Sequence, residues 1–458
     1  MAEDINYPNY QSLRSRWVTR VPEHWSLLRA KNFLREVDDR SKTGEGTLLS
    51  MRMQRGLVPH NDVSVKRIAP EDLIGYKKAQ PDELVLNRMQ AGNAMFFRNC
   101  QPGLVSPDYA VFRLLRDDNP EYLGHLFRSW PMRGLFRSES KGLGTGTSGF
   151  LRLYSDRFAA LEIPLPPRPE QDQIVSYLRV QDMHIARFIK AKRDLIKLLT
   201  EQKLCIIDHA VTRGLDASVT LKHSGIEWLG EVPEHWDVSK VKLLADYING
   251  FPFKPAEWGA KGRPIIRIQN LTKTHAAFNY YDGAIPKRNH IKDGDILLSW
   301  SASLGVFVWN RGDAWLNQHI FKVVPDPKRI TRGYFVWLAQ WFLNHMEAEA
   351  HGSTMQHITK PKFGAFPVPL PSLSEQVEIE MYINRETQDI DLAIACTEEE
   401  IKLIREYRDR LIADVVTGQV DVRGWQPGPD DVVDDAVLAV LDDDSEDMTE
   451  EEDGDGED

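Results

Sequence analysis

The stretch Gly144-Thr145-Gly146-Thr147-Ser148-Gly149 satisfies GxGxxG, the spacing with which a turn lets backbone amides approach the phosphates of a dinucleotide or a methyl donor. Such a loop leaves an apolar strand and opens a helix, whereas this one follows a basic, helix-like segment. The loop therefore suits flexible backbone or phosphate contact better than a cofactor. An Asn/Asp-Pro-Pro-Tyr/Phe segment, with which amino-methyltransferases grip a base, is absent, because Asn119-Pro120-Glu121-Tyr122 lacks the second proline. There is no Walker A lysine motif. Pro81-Asp82 has no nearby Glu-x-Lys to complete a nuclease-like cluster and reads as a strand start. His24 and His235 each lie between Glu and Trp directly after Pro, which fits a packed turn, with Trp25 and Trp236 as anchors. Cys100, Cys205 and Cys396 form no CxxC, and no histidine pair has zinc spacing, so no catalytic or metal residue is expected.

Side chains able to read nucleobase edges do occur in groups. Arginine presents paired donors to guanine, and Asn or Gln pairs with adenine. Arg52, Gln54 and Arg55 form one group, and Arg88, Gln90 and Asn93 another. Arg267, Gln269 and Asn270 end an Ile-rich strand, and Asn317, Gln318 and His319 precede a further one. Lys77, Lys78, Lys141, Arg152, Lys273, Lys287, Arg288, Lys360 and Lys362 could hold phosphates, as could Thr145, Thr147, Ser148, Ser353, Thr354 and Gln356. Ordinary loop and solvated-surface roles remain open for each. Trp300 reads as a core residue rather than a base-stacking one.

The elements that would position these groups come in two copies. Val21-Pro22-Glu23-His24-Trp25 recurs as Val232-Pro233-Glu234-His235-Trp236, an offset of 211 that also takes Trp17 onto Trp228. Ile163-Pro164-Leu165-Pro166 with Glu170-Gln171 recurs as Val368-Pro369-Leu370-Pro371 with Glu375-Gln376, and Val211-Thr212 as Val416-Thr417. The order is kept, so the chain is a tandem duplication whose period is too long for a solenoid unit. Between these blocks the copies diverge, although Glu83 to Leu86 resembles Asp295 to Leu298, and Val111-Phe112-Arg113 resembles Ile320-Phe321-Lys322.

After each Pro-rich stop comes a long Pro-free stretch, Gln171 to Ala210 and Gln376 to Val415, ending near Gly214 and Gly418, which predicts two long helices. A 3.5-residue step predicts a packing seam of Leu178, Ile185, Phe188, Leu195, Leu199 and Ile206 in one and Ile383, Ile390, Ala393, Ile404, Tyr407 and Leu411 in the other. Forty helical residues span roughly 60 Å.

The net charge of -11 hides a mildly basic body. Asp430 to Asp458 carry 16 acidic and no basic residues, leaving 57 basic against 52 acidic groups (68 less 16) before them. That tail reads as disordered. The amino terminus has no signal-peptide pattern and no apolar run is long enough for a bilayer, so a soluble, cytoplasmic protein with no membrane partner is expected.

The string Ile226 to Trp236, the Pro-Leu-Pro-x-x-x-Glu-Gln entries and the Val-Thr exits resemble the specificity subunit of type I restriction-modification systems from about Tyr7 to Trp425. Arg16-Trp17-Val18-Thr19 and the acidic tail depart from that pattern. The resemblance implies an α+β chain with two mixed, mainly β target recognition domains alternating with two long helices paired as an antiparallel coiled coil. The expected boundaries are an amino-terminal segment 1–20, domains 21–165 and 232–370, helices 166–214 and 371–421, a connector 215–231 and a tail 422–458. It further implies that each domain reads half of a bipartite, asymmetric site in double-stranded DNA, and that the helices set the gap and dock two methyltransferase subunits. Restriction/translocase subunits would join these. The chain itself would be non-catalytic and bind no cofactor, its partners using S-adenosylmethionine, ATP and magnesium. The rival classes are a self-sufficient methyltransferase or nuclease and a protein-binding scaffold.

Overall fold

A computed structural model describes residues 6–53, 55–143, 150–273, 276–300, 304–350 and 360–441. Short runs that are apolar on both faces, such as Leu84-Val85-Leu86 and Ile296-Leu297-Leu298, demand strands covered on both sides. All six side chains are buried. Among the described residues, the two sheet layers of the first domain are formed by β1 (Leu34–Val37), β2 (Leu49–Arg52), β3 (Gly56–Pro59), β4 (Lys77–Ala79), β5 (Leu84–Asn87), β6 (Phe96–Arg98), β7 (Gly103–Val105) and β8 (Tyr109–Leu114). Those of the second are formed by β9 (Ala245–Asn249), β10 (Arg263–Ile266), β11 (Asn279–Tyr281), β12 (His290–Ile291), β13 (Ile296–Ser299), β14 (Gly305–Val308), β15 (Ala314–Leu316) and β16 (Ile320–Pro325).

The two sets correspond strand for strand. A central sheet has the order β1-β8-β5-β6 in one domain and β9-β16-β13-β14 in the other. A second layer has the order β11-β10-β15-β12. Its counterpart is the β2–β3 hairpin joined by the parallel bridge Leu48↔Leu104 to the β7–β4 pair. Alternation along β5 sends Leu84 and Leu86 into a core shared with Phe112, Phe127 and Phe158, and Val85 into a core shared with Leu49, Leu57 and Val105. Ile296 and Leu298 likewise face Phe321, Tyr334 and Phe342, while Leu297 faces Ile266, Ile291 and Leu316.

The ladders also correct the strand alignment read from sequence. Val85 pairs with Val111 and Leu297 with Lys322, so with Glu83–Leu86 laid on Asp295–Leu298 it is Val111, not Arg113, that corresponds to Lys322. A two-residue slip keeps every side chain on its own face, so alternation alone cannot detect it.

Two long helices follow the domains, α1 (Arg168–Arg213) and α2 (Leu373–Val416). Contacts divide the chain into unit 1, residues 1–194 and 397–458, and unit 2, residues 195–396. Part of each helix belongs to each unit. In unit 1 the pair is antiparallel: Arg408 binds Asp182 at 2.6 and 2.8 Å, and Lys192 binds Glu400 at 2.5 Å. Within unit 2, Lys203 binds Asp391 at 2.6 Å.

Only part of the expected seam is buried. Leu178, Ile185, Ile383, Ile390 and Leu411 are buried, but Phe188, Leu195 and Tyr407 are exposed, and Leu199, Ile206, Ala393 and Ile404 are half-buried. Burial instead follows Ile174, Leu178, Asp182, Ile185, Ile189 on α1 and Ile379, Ile383, Thr387, Ile390 on α2. From Leu178 to Ile189 and from Ile383 to Ile390 the steps alternate four and three, the 3.5-residue average itself, with Ile189 buried in place of Phe188 at a half-step, and one further step of four precedes each run.

The acidic tail is not wholly without structure. Val422 is buried in the unit 1 core, Trp425 packs edge-on against Tyr177 at 5.3 Å, Asp431 binds His184 at 2.9 Å, and Asp434 caps a short helix Asp435–Leu438. Arg193 Nη1 donates to the Val440 carbonyl at 3.4 Å. Apolar residues spaced among the acids give this stretch something to bury, and the cations of α1 match its charge. Residues 442–458 lie outside the described residues.

Candidate nucleic-acid interface

The repeated blocks turn out to be parts of one clamp. In unit 1, Glu170 in the first turn of α1 accepts from Tyr7 Oη at 2.6 Å and Trp25 Nε1 at 2.9 Å, and pairs with His24 Nε2 at 2.7 Å. Burial, and the carboxylate beside it, push the Tyr7 hydroxyl far above its usual range, so it stays a donor. In unit 2, Glu375 accepts from Trp236 Nε1 at 3.1 Å and pairs with His235 at 2.7 Å. Burial alone would raise the Glu375 pKa, but bonds from His235, Trp236 and Ser372 outweigh it and hold the carboxyl down to about 2. The neighbouring glutamines tie the starts of the long helices to the starts of the helices Pro120–Arg128 and Arg332–Ala350: Gln171 accepts from the Asn119 amide and Gln376 from that of Thr331, both at 2.7 Å.

The helix ends close the same clamps. Gly214, at φ +75°, abuts Trp236, and Gly418, at φ +72°, abuts Pro22 and Trp25, where a Cβ would lie 2.4 Å from Pro22 Cδ. Only glycine takes this backbone freely and leaves that space. Ser26–Arg29 pairs with Glu162–Leu165, and Asp237–Lys240 with Pro367–Leu370, so chain entry and exit are zipped in both domains. The amino-terminal segment joins the end of α2 in unit 1 through Arg20 Nε to Gln419 Oε1 and Gln419 Nε2 to the Arg20 carbonyl, both 3.1 Å. The histidines thus hold structure, as their packed-turn reading requires.

In the second domain topology gathers the expected readers. β10 and β15 run parallel, Ile266 opposite Leu316, so both strands end on one edge. Arg267 and Asn317 start from that edge side by side, and the Asn317 amide donates to the Ile266 carbonyl at 3.2 Å. β12 is antiparallel to β15, His290 opposite Trp315, which brings Lys287 and Arg288 to the same edge. Gln318, His319, Lys287 and Arg288 are exposed there, whereas Asn317 and Gln269 are half-buried. Arg267 lies over Trp258 at 4.8 Å and reaches Asn279 Oδ1 at 3.3 Å. Asn270 is buried and works within the domain: its Oδ1 accepts from the Arg267 amide at 3.0 Å and its Nδ2 donates to the Ala276 and Ala277 carbonyls. It is withdrawn from the base-reading set. Lys273 and Lys362 are exposed. Trp300 stacks on Phe321 at 5.7 Å, as a core residue does.

The matching edge of the first domain is a concavity of about 250 Å3 lined by Ser50, Arg52, Tyr76, Ser106 and Tyr109 among others. Of these only Arg52 was expected from sequence. Its Nη2 donates to the Val63 carbonyl at 3.2 Å, and Arg55 is exposed at the hairpin tip. A second group forms where Arg88–Asn93 meets the hairpin of Lys141–Leu143 and Phe150–Arg152: the Leu153 amide donates to the Arg88 carbonyl at 3.0 Å, and Lys141 lies opposite Arg152. Gln90, Asn93 and Lys141 are exposed and Arg152 is half-buried over Tyr154 at 5.7 Å.

Two expected contacts are spent inside the domain. Lys77 is only 3% exposed, donates to the Tyr109 carbonyl at 2.7 Å and faces Asp38 at 3.6 Å. Burial, then the nearby Arg88, lower its pKa. Arg88 pairs with Glu36 and donates to Ser155 Oγ at 2.9 Å. Neither is presented to a phosphate or a base. Lys78 is half-exposed and lies 3.6 Å from Asp39. Gln54, Thr145, Thr147, Ser148, Ser353, Thr354 and Gln356 lie outside the described residues, as does the side chain of Lys360.

Among the described residues no group of three or more His, Cys, Asp or Glu side chains is placed to hold a metal ion, and no helix is long and apolar enough to cross a membrane. The geometry defines a class of protein: one reading fold used twice, with unlike side chains on the same edge. Residues 233–401 match the family model described as Type I restriction modification DNA specificity domain. The chain is 24% identical over 205 residues to the type I restriction enzyme EcoBI specificity subunit of Escherichia coli, spanning 44% of this chain and 43% of that one. It is 23% identical over 428 residues to the MjaVIII specificity subunit of Methanocaldococcus jannaschii, covering 88% of this chain and 95% of that one. A solved structure described by complex assembly and conformational transition of the type I R-M system shares the fold, with a TM-score of 0.58 at 15% identity, over 87% of this chain and 99% of that one. The chain is thus similar to type I restriction-modification specificity subunits, through the family model over residues 233–401 and through a relative aligned over most of its length, and it shares the fold of the solved structure.

Proposed function

We propose that this chain is the non-catalytic reader of a type I restriction-modification complex. Each domain contacts one half of a bipartite, asymmetric site in double-stranded DNA, and the α1–α2 pair sets the unread gap and docks two methyltransferase subunits. Restriction/translocase subunits complete the assembly in the cytoplasm. Adenine methylation and ATP-dependent cleavage belong to those partners, which bring S-adenosylmethionine, ATP and magnesium. The observation that carries this reading is the strand-for-strand repetition of one sheet edge with different polar residues, Arg52 and Ser106 in one copy and Arg267, Asn317 and Gln318 in the other. A single contiguous site would not call for two such edges.

The test is selection of bound duplexes from a random pool by the chain reconstituted with its matched methyltransferase subunits. The expected product is a split motif whose binding weakens steeply with salt. Recovery of no enriched sequence, or methylation by the chain alone, would overturn the reading.

A further inference from the structure

The turn from β7 to β8 is the counterpart of the turn from β15 to β16. Each has three residues, Ser106-Pro107-Asp108 and Asn317-Gln318-His319, between the same two strands. Both close alike: the Tyr109 amide donates to the Ser106 carbonyl at 3.0 Å, and the Ile320 amide to the Asn317 carbonyl at 3.2 Å. They stand 211 positions apart, the offset of the repeated pentapeptides. Backbone is shared and side chains are not.

Resting on the proposal that both domains read DNA, we propose that Ser106-Pro107-Asp108, with Arg52 across the concavity, is a specificity-determining element of the first domain, and that the two edges prefer different base pairs. Arg52 and Asp108 fit a G·C pair, whereas Asn317 and Gln318 fit an A·T pair.

The chemistry follows from donors and acceptors. Asp108 is exposed and makes no ion pair among the described residues, and as a carboxylate it can only accept, which matches the N4 amine of cytosine. Arg52 has donors left beyond its bond to Val63, and these match O6 and N7 of guanine. Arg52 lines the concavity together with Tyr76 and Ser106, and Asp108 is the last residue of the turn that Ser106 opens, directly before Tyr109. In the second domain His319 stands where Asp108 does, and Ser106 and Pro107 give way to the carboxamides of Asn317 and Gln318, which can each donate and accept, the pattern of adenine N6 and N7. Gln318 Nε2 lies 3.1 Å from His319 Nε2, which steadies it on the rim. A turn serving only to join two strands would have no need of such different side chains on two turns of one length closed by the same backbone bond.

The experiment uses the full chain with its matched methyltransferase subunits and reads the selected DNA motif. One variant is Asp108→Asn; a second exchanges the whole turn by Ser106→Asn, Pro107→Gln and Asp108→His. Neither changes turn length, and thermal melting reports whether the fold is kept. The expected result is a loss of about tenfold or more in discrimination at a G·C position of the first half-site for Asp108→Asn. The exchanged turn should select a new base there, with the second half-site and the gap unchanged. Retention of the wild-type first half-site by folded variants of both kinds overturns the proposal, as does a change in the second half-site alone. If the exchanged turn prevents folding, Asp108→Asn, an isosteric change at an exposed side chain, decides. A wild-type complex that selects no split motif would defeat the broader reading instead, and is distinguished by needing no variant.

Discussion

Removing the carboxylate at the start of α1 is the sharpest stability test of the clamp. Glu170→Ala strips the acceptor from Tyr7 and Trp25, each 3% exposed, and the partner from His24. A buried donor left without a partner costs about 1–3 kcal/mol, and hydrogen bonds to charged groups contribute about 1.5–3 kcal/mol each. His24, whose side chain is 38% exposed, can turn to water. Counting the two buried donors and allowing for their shared acceptor gives an expected loss of about 3–5 kcal/mol in unit 1. Glu170→Gln keeps an acceptor and should cost about 1–2 kcal/mol. Glu375→Ala, at a carboxylate whose side chain is 31% exposed, should cost less than Glu170→Ala. Because two units need not unfold together, hydrogen exchange resolved by segment is the assay, with urea melts as a check. Protection should fall along Glu162–Leu165 and the first turns of α1 while β13 and β16 keep theirs. A loss below about 1 kcal/mol for Glu170→Ala, with exchange unchanged around Trp25, would refute the clamp as what binds domain to helix.

Three further outcomes follow from the geometry. The folded Glu375 pKa of about 2 lies below the ordinary value of 4.5, so its contribution to stability is present above about pH 4.5 and is lost as pH falls toward 2. Discounted for exposure, that is about 1–2 kcal/mol, and Glu375→Gln should flatten this part of a stability-against-pH profile measured by denaturant melts. Lys77→Met should lower stability by about 1–3 kcal/mol and leave the salt slope of DNA binding unchanged, whereas Lys287→Ala should reduce that slope by about one without affecting stability. Deleting residues 442–458 should raise DNA affinity, most at low salt, if their charge competes for the basic edges; equal titrations with and without them would dismiss that role.

What was legible in the sequence was the part with specific polar partners. Glu, Gln, His, Trp and the exit glycines recur because one clamp needs all of them, and few substitutes satisfy such bonds. The sixteen strands were mostly not legible, since runs of two to six residues carry little pattern. The shift between Val111 and Lys322 went unseen because alternation repeats every second residue. On the long helices a 3.5-residue step leaves each half-step open between two neighbours, and burial falls on Ile189 where Phe188 was expected. Among the candidate contacts, exposure and burial separate residues of one type: Lys287 faces solvent, and Lys77 is enclosed by Asp38 and the Tyr109 carbonyl. Nothing local in the sequence marks that difference. The turn Ser106-Pro107-Asp108 stood at the offset already found, but without its strands there was no reason to look there.

The central claim is that separate heads read separate bases across a gap measured by helix. Methylome sequencing of cells carrying the matched subunits tests it, with the natural chain and with four residues inserted in register after Lys192 and before Glu400. Four helical residues add about 6 Å, against 3.4 Å per base pair of DNA. The account predicts a split motif whose gap grows by about one to two base pairs while every specified base is kept. A contiguous motif, or an insertion that alters the specified bases and leaves the gap unchanged, would contradict it.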